Sequence, residues 1–588
     1  SLVFRIAPDH ELFLKTTFAR NDFTFRLSPT AVSSETTFVG RNRFLLPPAS
    51  PFYPHDFARA FGIDGTPLNV YWRAQELGDR AIEPTTRQWN IVAGMRSVAA
   101  GWRYDGAFDY SRGEVETRYN GGFVRESLLL PILDSGAVDP FAANAQDIVD
   151  RMSTAKIDGI MRSGTSSIAS VDLHASRDVL ALPAGPLLAA LGATVFQERL
   201  TNGADPVFAS GDVLDTRSSE SLAGSRNVFA AFAETSVPLY RSLEVDLALR
   251  YDHYSDFGGT ANPKISVRWQ PKSKVLLRAS AGTGFLAPSL QGLALSPSFG
   301  VTQERHDDPA RCPFTMSAQD CDRLFSVQFG GNPALRPVTS TQWSAGGVWS
   351  PLSGLSLGVD YVSIALDNRI NFFSIAQIFG QCPDGVNGRT CYLIHRGPID
   401  PRYPALPGPI VQVDQFLTNL GKAKVSAIDV DAHYASPPWT WGRMTVDFSG
   451  TYNIQHLEQQ ADGSYVDLVG RYSASGGNPG VIPRWRHYLV IGWSFGRSSI
   501  TMDERYQTGA YDQFPVPGPR RIGDYDLWDV SYAYRGFPGW TLSAGIRNLF
   551  DRDPPFSNQN QNPQVGYDPS YADPRGRQYW VGVKYAFR

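Results

Sequence analysis

The chain contains no uninterrupted apolar run of the roughly 18 residues that a membrane-crossing helix requires, which excludes a helical membrane protein. Basic runs and Arg-rich segments are also missing, and with a formal net charge of -3 there is no electrostatic footprint for nucleic acid. Catalytic signatures are absent as well: there is no G-x-S-x-G, no H-E-x-x-H and no EF-hand loop. The nine histidines are scattered. Three of them, His174, His253 and His433, fall within or at the ends of strand patterns and read as wall residues. Nothing in the sequence points to a catalytic centre, a resident metal or a cofactor.

Charge is sparse at 19%, beside 42% hydrophobic and 12% aromatic residues. Moderate hydrophobicity without a helical span fits a membrane barrel, whose apolar residues are spread one in two along many strands. It also fits a large soluble all-β protein. Length helps to weigh these, because single hydrophobic cores stop growing near about 250 to 300 residues and this chain has 588. A barrel escapes that limit, since each added strand brings its own lipid-facing surface.

Cysteine is scarce: the four present fall into two local pairs, Cys312 with Cys321 and Cys382 with Cys391, at the same short spacing in Pro/Gly/Asp-rich sequence. Two loop disulfides made in an oxidising compartment are the natural reading. The alternative, a four-thiolate metal site, lacks a C-x-x-C knuckle. No signal peptide stands at Ser1, so the expectation is that it has been removed or that the chain begins inside a longer precursor.

What the chain has in abundance is strict alternation. Leu243, Val245, Leu247, Leu249 and Tyr251 alternate with Glu244, Asp246, Ala248 and Arg250, so one face suits lipid and the other water. The same dyad recurs at Ile265, Val267 and Trp269, at Trp343, Ala345, Gly347 and Trp349, and at Leu355, Leu357, Val359 and Tyr361. Connections tend to alternate between short and long. Short ones lie at 238–240, 271–273, 351–353, 436–439 and 536–538, and long ones at about 287–338, 371–420, 457–482 and 552–573. Outer-membrane barrels have tight periplasmic turns at one rim and long loops at the other. Trp439, Trp441, Phe537 and Trp540 gather beside the short turns, where an aromatic girdle would meet the lipid headgroups.

Counting back from the C-terminus gives about nineteen strands. If the last one descends to the periplasm, the first visible strand descends too, and the number present is odd. Bacterial single-chain barrels have an even number, about 22 in the plugged transporters. The expectation is therefore an all-β fold: a large antiparallel transmembrane β-barrel of the 22-stranded type spanning residues 1–588, with about three strands and everything before them absent. The segment Leu68 to Leu77 could be a further wall strand.

Several ordered segments resemble the TonB-dependent receptor family. Residues 227–239, NVFAAFAETSVPL, are similar to a family strand that carries a Glu before a Pro-containing turn. Residues 250–290 follow the family order: RYD, a short glycine loop, NPKISVRWQP, then LLRASAGTGFLAPSL. Residues 331–340, GNPALRPVTS, resemble G-N-P-x-L-x-P-E-x-S, although Val338 stands where the family usually has Glu. Residues 546–551, IRNLFD, resemble the penultimate-strand signature. The final strand alternates Tyr579, Val581, Val583, Tyr585 and Phe587, as in the signal read by the barrel-assembly machinery, but ends at Arg588. The resemblance runs over 227–588 and less distinctly over 86–111, and its weight lies in the order and spacing of the segments together.

The resemblance implies active import of a scarce nutrient (an iron–siderophore, cobalamin, a glycan or a peptide) across the bacterial outer membrane. It also implies an N-terminal plug domain, not recognisable here, and an inner-membrane TonB–ExbB–ExbD complex that pulls on it. Outer-membrane lipids and a possible surface lipoprotein are further partners; nucleic acid is not one. Recognition belongs on the outer loops, with Phe372, Phe373, Tyr392, His395, Arg402 and Tyr403 in one loop and Phe556, Gln559, Asn560, Gln561 and Tyr567 in the last. Glu234, Arg250, Arg268 and Arg278 read as lumen charges in structural networks. A passive substrate-specific porin and an outer-membrane hydrolase are the rival readings.

Overall fold

A computed structural model of the chain describes residues 2–33, 44–214, 216, 221–302, 304–460, 463–473, 480–513, 520–559 and 565–586. Its main element is one sheet of 21 strands. Two of these are short accessories, Phe25–Leu27 beside the start of Arg80–Ala99 and Tyr465–Asp467 folded back on Arg443–Gln459. The other nineteen form the wall, each hydrogen-bonded antiparallel to the next in the chain.

In order they are β1 (Leu2–Ala7), β2 (His10–Asp22), β3 (Arg80–Ala99), β4 (Trp102–Gly121), β5 (Gly159–Leu182), β6 (Gly185–Ala204) and β7 (Leu222–Tyr240). Then come β8 (Leu243–Tyr254), β9 (Gly258–Lys272), β10 (Val275–Leu286), β11 (Val338–Trp349), β12 (Leu355–Asp367) and β13 (Ala423–Ala435). The last are β14 (Arg443–Gln459), β15 (Trp485–Phe495), β16 (Ser498–Gln507), β17 (Tyr525–Tyr534), β18 (Trp540–Arg547) and β19 (Gln578–Tyr585). The expected count of nineteen is met strand for strand. Among the described residues β1 is paired only with β2, and β19 only with β18.

The alternation read from the sequence becomes two faces of this wall. Leu247 lies opposite Thr235 and Ile265, and Trp343 opposite Ala281 and Ser363. Leu247, Leu249, Ile265, Trp269, Leu277, Trp343, Trp349 and Val359 share one face, and each is at least 41% exposed. So broad an uncovered apolar band is far beyond what a water-soluble monomer tolerates; hydrocarbon is its solvent. The other face is polar and internally bonded. Ser266 donates to Asp246 at 3.0 Å, Arg278 to Asp360 at 2.8 Å, and Ser280 meets Ser344 at 2.9 Å.

Small residues let bulky neighbours cover the backbone. A Cβ at Gly192 would lie 2.1 Å from the Phe232 ring across the β6–β7 pair, and one at Gly94 would lie 2.3 Å from the Phe13 ring.

Turns at one rim are tight. Ala100 and Gly101, with φ of 50° and 77°, close β3 on β4 with the doubly positive backbone that suits strand twist. At this rim β5 runs on from Ser176, the last residue paired with β4, to Leu182, but most of the extra strand length rises toward the other rim. There β3 to β6 run 20, 20, 24 and 20 residues, whereas β17 to β19 run 10, 8 and 8. About ten residues suffice to cross a bilayer, so the first group stands well clear of the membrane.

The buried apolar clusters lie at this rim, in the loops and in the strand ends beneath them, such as Tyr119, Met161 and Leu527. One joins Leu46 and Leu77 of the loop after β2 with Val124, Leu129, Leu133 and Met152 of the loop after β4. Helices Glu126–Asp134 and Gln146–Ser153 supply the last three of these. The alternative wall strand at Leu68 to Leu77 is part of this loop body: Tyr71–Arg73 pairs with Ala31–Ser33, and Leu77 is core. Among the described residues no helix is long and apolar enough to cross a membrane.

Candidate functional site

The two longest loops of the second half, after β10 and after β12, fold into one body. Strands Ser298–Val301, Ser326–Gly330, Ile410–Phe416 and Ile394–Arg396 form a four-stranded sheet. Its central pairing, Val327 with Val413 through Gly330 with Phe416, is parallel and joins the loops. A register shift opposite His395 and Arg396 bulges out Val411, which returns both Ile410 and Val413 to the core face.

Beneath the sheet lies helix Ile375–Gly380. Ser374 and Gln377 form a capping box at its N-terminus. Ile375, Ile378 and Phe379 are buried at spacings of three and four. Phe325 from the first loop meets Phe379 edge-on at 5.3 Å. Val327, Leu393, Ile394, Ile410 and Val413 complete the core.

Covalent and charged ties reinforce this small core. Cys312–Cys321 and Cys382–Cys391 are both disulfide-bonded, as the spacing suggested. Arg396 grips Asp308 with two hydrogen bonds of 2.7 and 2.9 Å across the loops. Arg311 holds Asp320 at 2.9 Å and the Pro407 carbonyl at 2.7 Å. The Asp308 and Asp320 carboxylates and Arg311 are at most 3% exposed, so removing one partner would strand a buried charge. His306 packs edge-on to Phe379 at 6.0 Å, and burial holds its imidazole below the usual histidine range, against the weaker upward pull of Glu304 and Asp307.

The sheet's outer face carries a polar strip. His395 Nε2 meets Asp414 Oδ2 at 2.7 Å, and Gln412 donates to Asp414 at 2.9 Å and to Gln328 at 2.6 Å. Beside it Tyr392 is 68% exposed, and the half-exposed His395 ring leaves an edge for a ligand. Phe372 is 40% exposed at the base of the loop. Arg402 is exposed and paired with Asp400, and Tyr403 lies under the Arg311 guanidinium at 5.9 Å.

The structure therefore gathers Phe372, Tyr392, His395, Arg402 and Tyr403 onto one loop body. Phe373 packs against its core, and its carbonyl accepts from Gln415 at 2.7 Å. In the last loop Phe556 is exposed under Arg520 at 4.1 Å. Gln559 is buried, donating to the Val565 and Tyr567 carbonyls, and Tyr567 packs against the Tyr525 cluster. Asn560 and Gln561 lie outside the described residues, as do Phe587 and Arg588.

Sequence reasoning missed Gln328, Gln412 and Asp414. The alternation in IVQVDQF was the available signal, hidden inside a segment read as loop. It also missed Arg226, 8% exposed, which ties Glu198, Asp256 and the Pro288 carbonyl under the Tyr254 ring and anchors the start of the loop after β10.

Inside the wall, Arg250 pairs with Asp252, and Arg268 donates to Gln270. Glu234 lines a wall cavity of about 410 Å³ with Arg103, Arg177, Asp246 and Lys264. His174 meets the Phe232 ring at 5.3 Å, and His433 pairs with Asp447.

Comparison with known proteins bears on what such an arrangement is. Residues 24–549 match the family described as TonB dependent receptor-like, beta-barrel. A ferric enterobactin receptor, PirA, of Pseudomonas aeruginosa is 22% identical over 384 residues, 62% of this chain and 43% of the relative. The chain thus spans under half the length of that relative. Among solved structures, the siderophore receptor PirA of Acinetobacter baumannii aligns with 100% of this chain and 69% of its own, with TM-score 0.60 and 13% identity. Pseudomonas aeruginosa FpvA bound to pyoverdines aligns with 99% and 63%, with TM-score 0.55 and 13% identity. These likenesses establish the barrel fold.

Proposed function

Because the chain belongs to the TonB-dependent receptor family and is a bacterial outer-membrane protein, we propose that it forms the barrel of an active importer of a scarce nutrient, an iron–siderophore chelate. The observation that carries the reading is the disulfide-stapled loop body with its polar strip, set on the outer rim of a polar-lined wall. The relatives named siderophore and ferric enterobactin receptors support the choice of ligand.

In this reading Phe372, Tyr392, His395, Arg402, Tyr403, Phe556 and Tyr567 meet the chelate, while Phe373 and Gln559 hold the loops in shape. In this reading a plug domain occludes the polar lumen, and the leaky outer membrane supplies neither gradient nor ATP. Release inward therefore needs the TonB–ExbB–ExbD complex to act on that plug. β1 and β19 run in the same direction, so an odd number of further strands closes the sheet antiparallel; three bring the total to the 22 of plugged transporters. Outer-membrane lipids surround the wall.

Uptake of radiolabelled iron from a panel of ferric chelates by a deletion strain tests this. Uptake of one chelate is lost and returns with the wild-type gene. The paired Tyr392→Ala and His395→Ala change raises the half-saturating concentration while surface abundance holds. Equal uptake of every chelate with and without the gene refutes the reading, and uptake that persists without the inner-membrane complex points to a passive pore.

A further inference from the structure

Alternation along the last six strands gathers Arg443, Arg497, Arg535 and Lys584 at the tight rim. Their positions continue the lumenal series that holds Thr451, bonded to Asp429, and Arg505, bonded to Asp529, whereas Met444, Tyr534, Val583 and Tyr585 beside them take the lipid face. All four cations are exposed. Arg497 and Arg535 sit side by side on neighbouring turns, the Arg535 N–H donating to the Arg497 carbonyl at 2.8 Å.

No carboxylate answers these charges. Among the described residues their side chains bond to neutral groups, Arg497 to the Gly536 carbonyl at 2.8 Å and Arg535 to the lumenal Ser499 at 3.3 Å. The turns at 436–442, 496–497 and 535–539 contain no Asp or Glu. The nearest lumenal carboxylates on these strands, Asp447, Asp503 and Asp529, stand four to six residues higher, about 13 to 20 Å at about 3.3 Å per residue. Each is already engaged, with His433, Tyr488 and Arg505 in turn.

Four uncompensated cations on one face call for an anionic partner, and the shape of the surface says of what kind. From β14 to β19 is five strand spacings, about 24 Å. The lumenal positions just above the cations are small, among them Ser494, Ser499, Ala533, Thr541, Ser543 and Gly582. Small ligands are held in concave sites; a broad level floor suits a packed polypeptide.

Strand direction identifies the polypeptide. β19 descends from the loop after β18 and ends at the tight rim. In the 22-strand closure proposed above, the first closing strand pairs antiparallel with β19, so it starts at the tight rim next to Lys584. The chain that precedes it therefore passes these four cations.

We infer that Arg443, Arg497, Arg535 and Lys584 form a docking crescent for an acidic stretch of the plug domain, where the plug leads into the first closing strand. The inference rests on the plugged-barrel reading of function.

The test couples lysine amines directly to touching carboxylates with a zero-length carbodiimide in the full-length receptor, and maps the joined peptides by mass spectrometry. Lys584 is expected to join an Asp or Glu of the plug, and the joint should vanish in Lys584→Arg, which keeps the charge. Reversing Arg443→Glu, Arg497→Glu and Arg535→Glu together should cut coupling at Lys584 at least tenfold and speed proteolysis of the plug segment at least tenfold. Heat-modifiable migration reports folding; if the triple variant does not fold, the wild-type coupling map decides. Coupling of Lys584 to no carboxylate or only to a separate polypeptide in the folded wild type, or undiminished coupling in a folded triple variant, overturns the crescent. Iron uptake reads the function separately: a wild type that imports its chelate without coupling at Lys584 loses the crescent and keeps the function, and one that couples without importing does the reverse.

Discussion

Replacing Cys382 and Cys391 together by alanine should loosen two loops, not one. The bond closes a ring of about ten residues, for which the chain-entropy relation gives about 2.7 kcal/mol of stabilisation at 25 °C. Cys382 is fully buried, so alanine removes the cross-link without adding a polar group. A loss of about 2.7 kcal/mol raises the open population of the loop body about a hundredfold.

Hydrogen exchange on the purified receptor measures this peptide by peptide. Faster exchange is expected in 375–396. It is also expected in 326–330, some 50 residues away in sequence, because Val327 pairs with Val413 and Phe325 packs on Phe379. Wall strands serve as the internal control. Were 326–330 to keep its protection while 375–396 lost its own, the two loops would not be one cooperative unit. A deletion of 375–410 cannot make this distinction, since it also removes Ile375, Ile378, Phe379, Leu393, Ile394 and Ile410 from the shared core.

Gly192→Val should block barrel assembly, since its side chain would enter the Phe232 ring; the readout is loss of the heat-modifiable band, and normal surface yield would contradict the packing. Arg226→Met leaves Glu198 and Asp256 without their partner at a cost of about 3 to 5 kcal/mol; faster exchange in 288–295 is the expected sign. Acidification should loosen the loop body through His306. Its folded-state pKa is depressed, so the unfolded chain takes up the proton first, and stability present above the ordinary histidine pKa of about 6.5 falls away as pH drops below it. Exchange in 304–330 compared at pH 7.5 and 5.5 should show this dependence in the wild type and lose it in His306→Phe; a variant as pH-sensitive as the wild type would remove His306 from the argument.

The wall was legible because hydrocarbon on one side and water on the other force a period of two on every strand that crosses. Where β3 to β6 rise above the membrane that constraint ends. The alternation read as strands covers 101–113 and 164–178, while Glu114 to Arg118 and Gly159 to Ser163 set Val115, Ile160 and Met161 among charged and small polar residues without that period, so these strands are longer than the pattern showed. The loop bodies were illegible for a different reason. Their cores are assembled from pieces three to nine residues long, and the pairing of Val327 with Val413 joins segments too far apart for any local window. Residue type alone likewise could not separate Phe373, which packs inward, from Phe372, which is exposed, or see that Gln559 would be spent on its own loop's carbonyls.

The unequal strand lengths give the mouth of the wall a slanted cut. An arriving molecule meets a high backboard along residues 80–240 and a low sill along 485–585. Above the sill stand the joined loops after β14, β16 and β18, so the rim greets an arriving molecule with regular sheet on one side and with loop on the other.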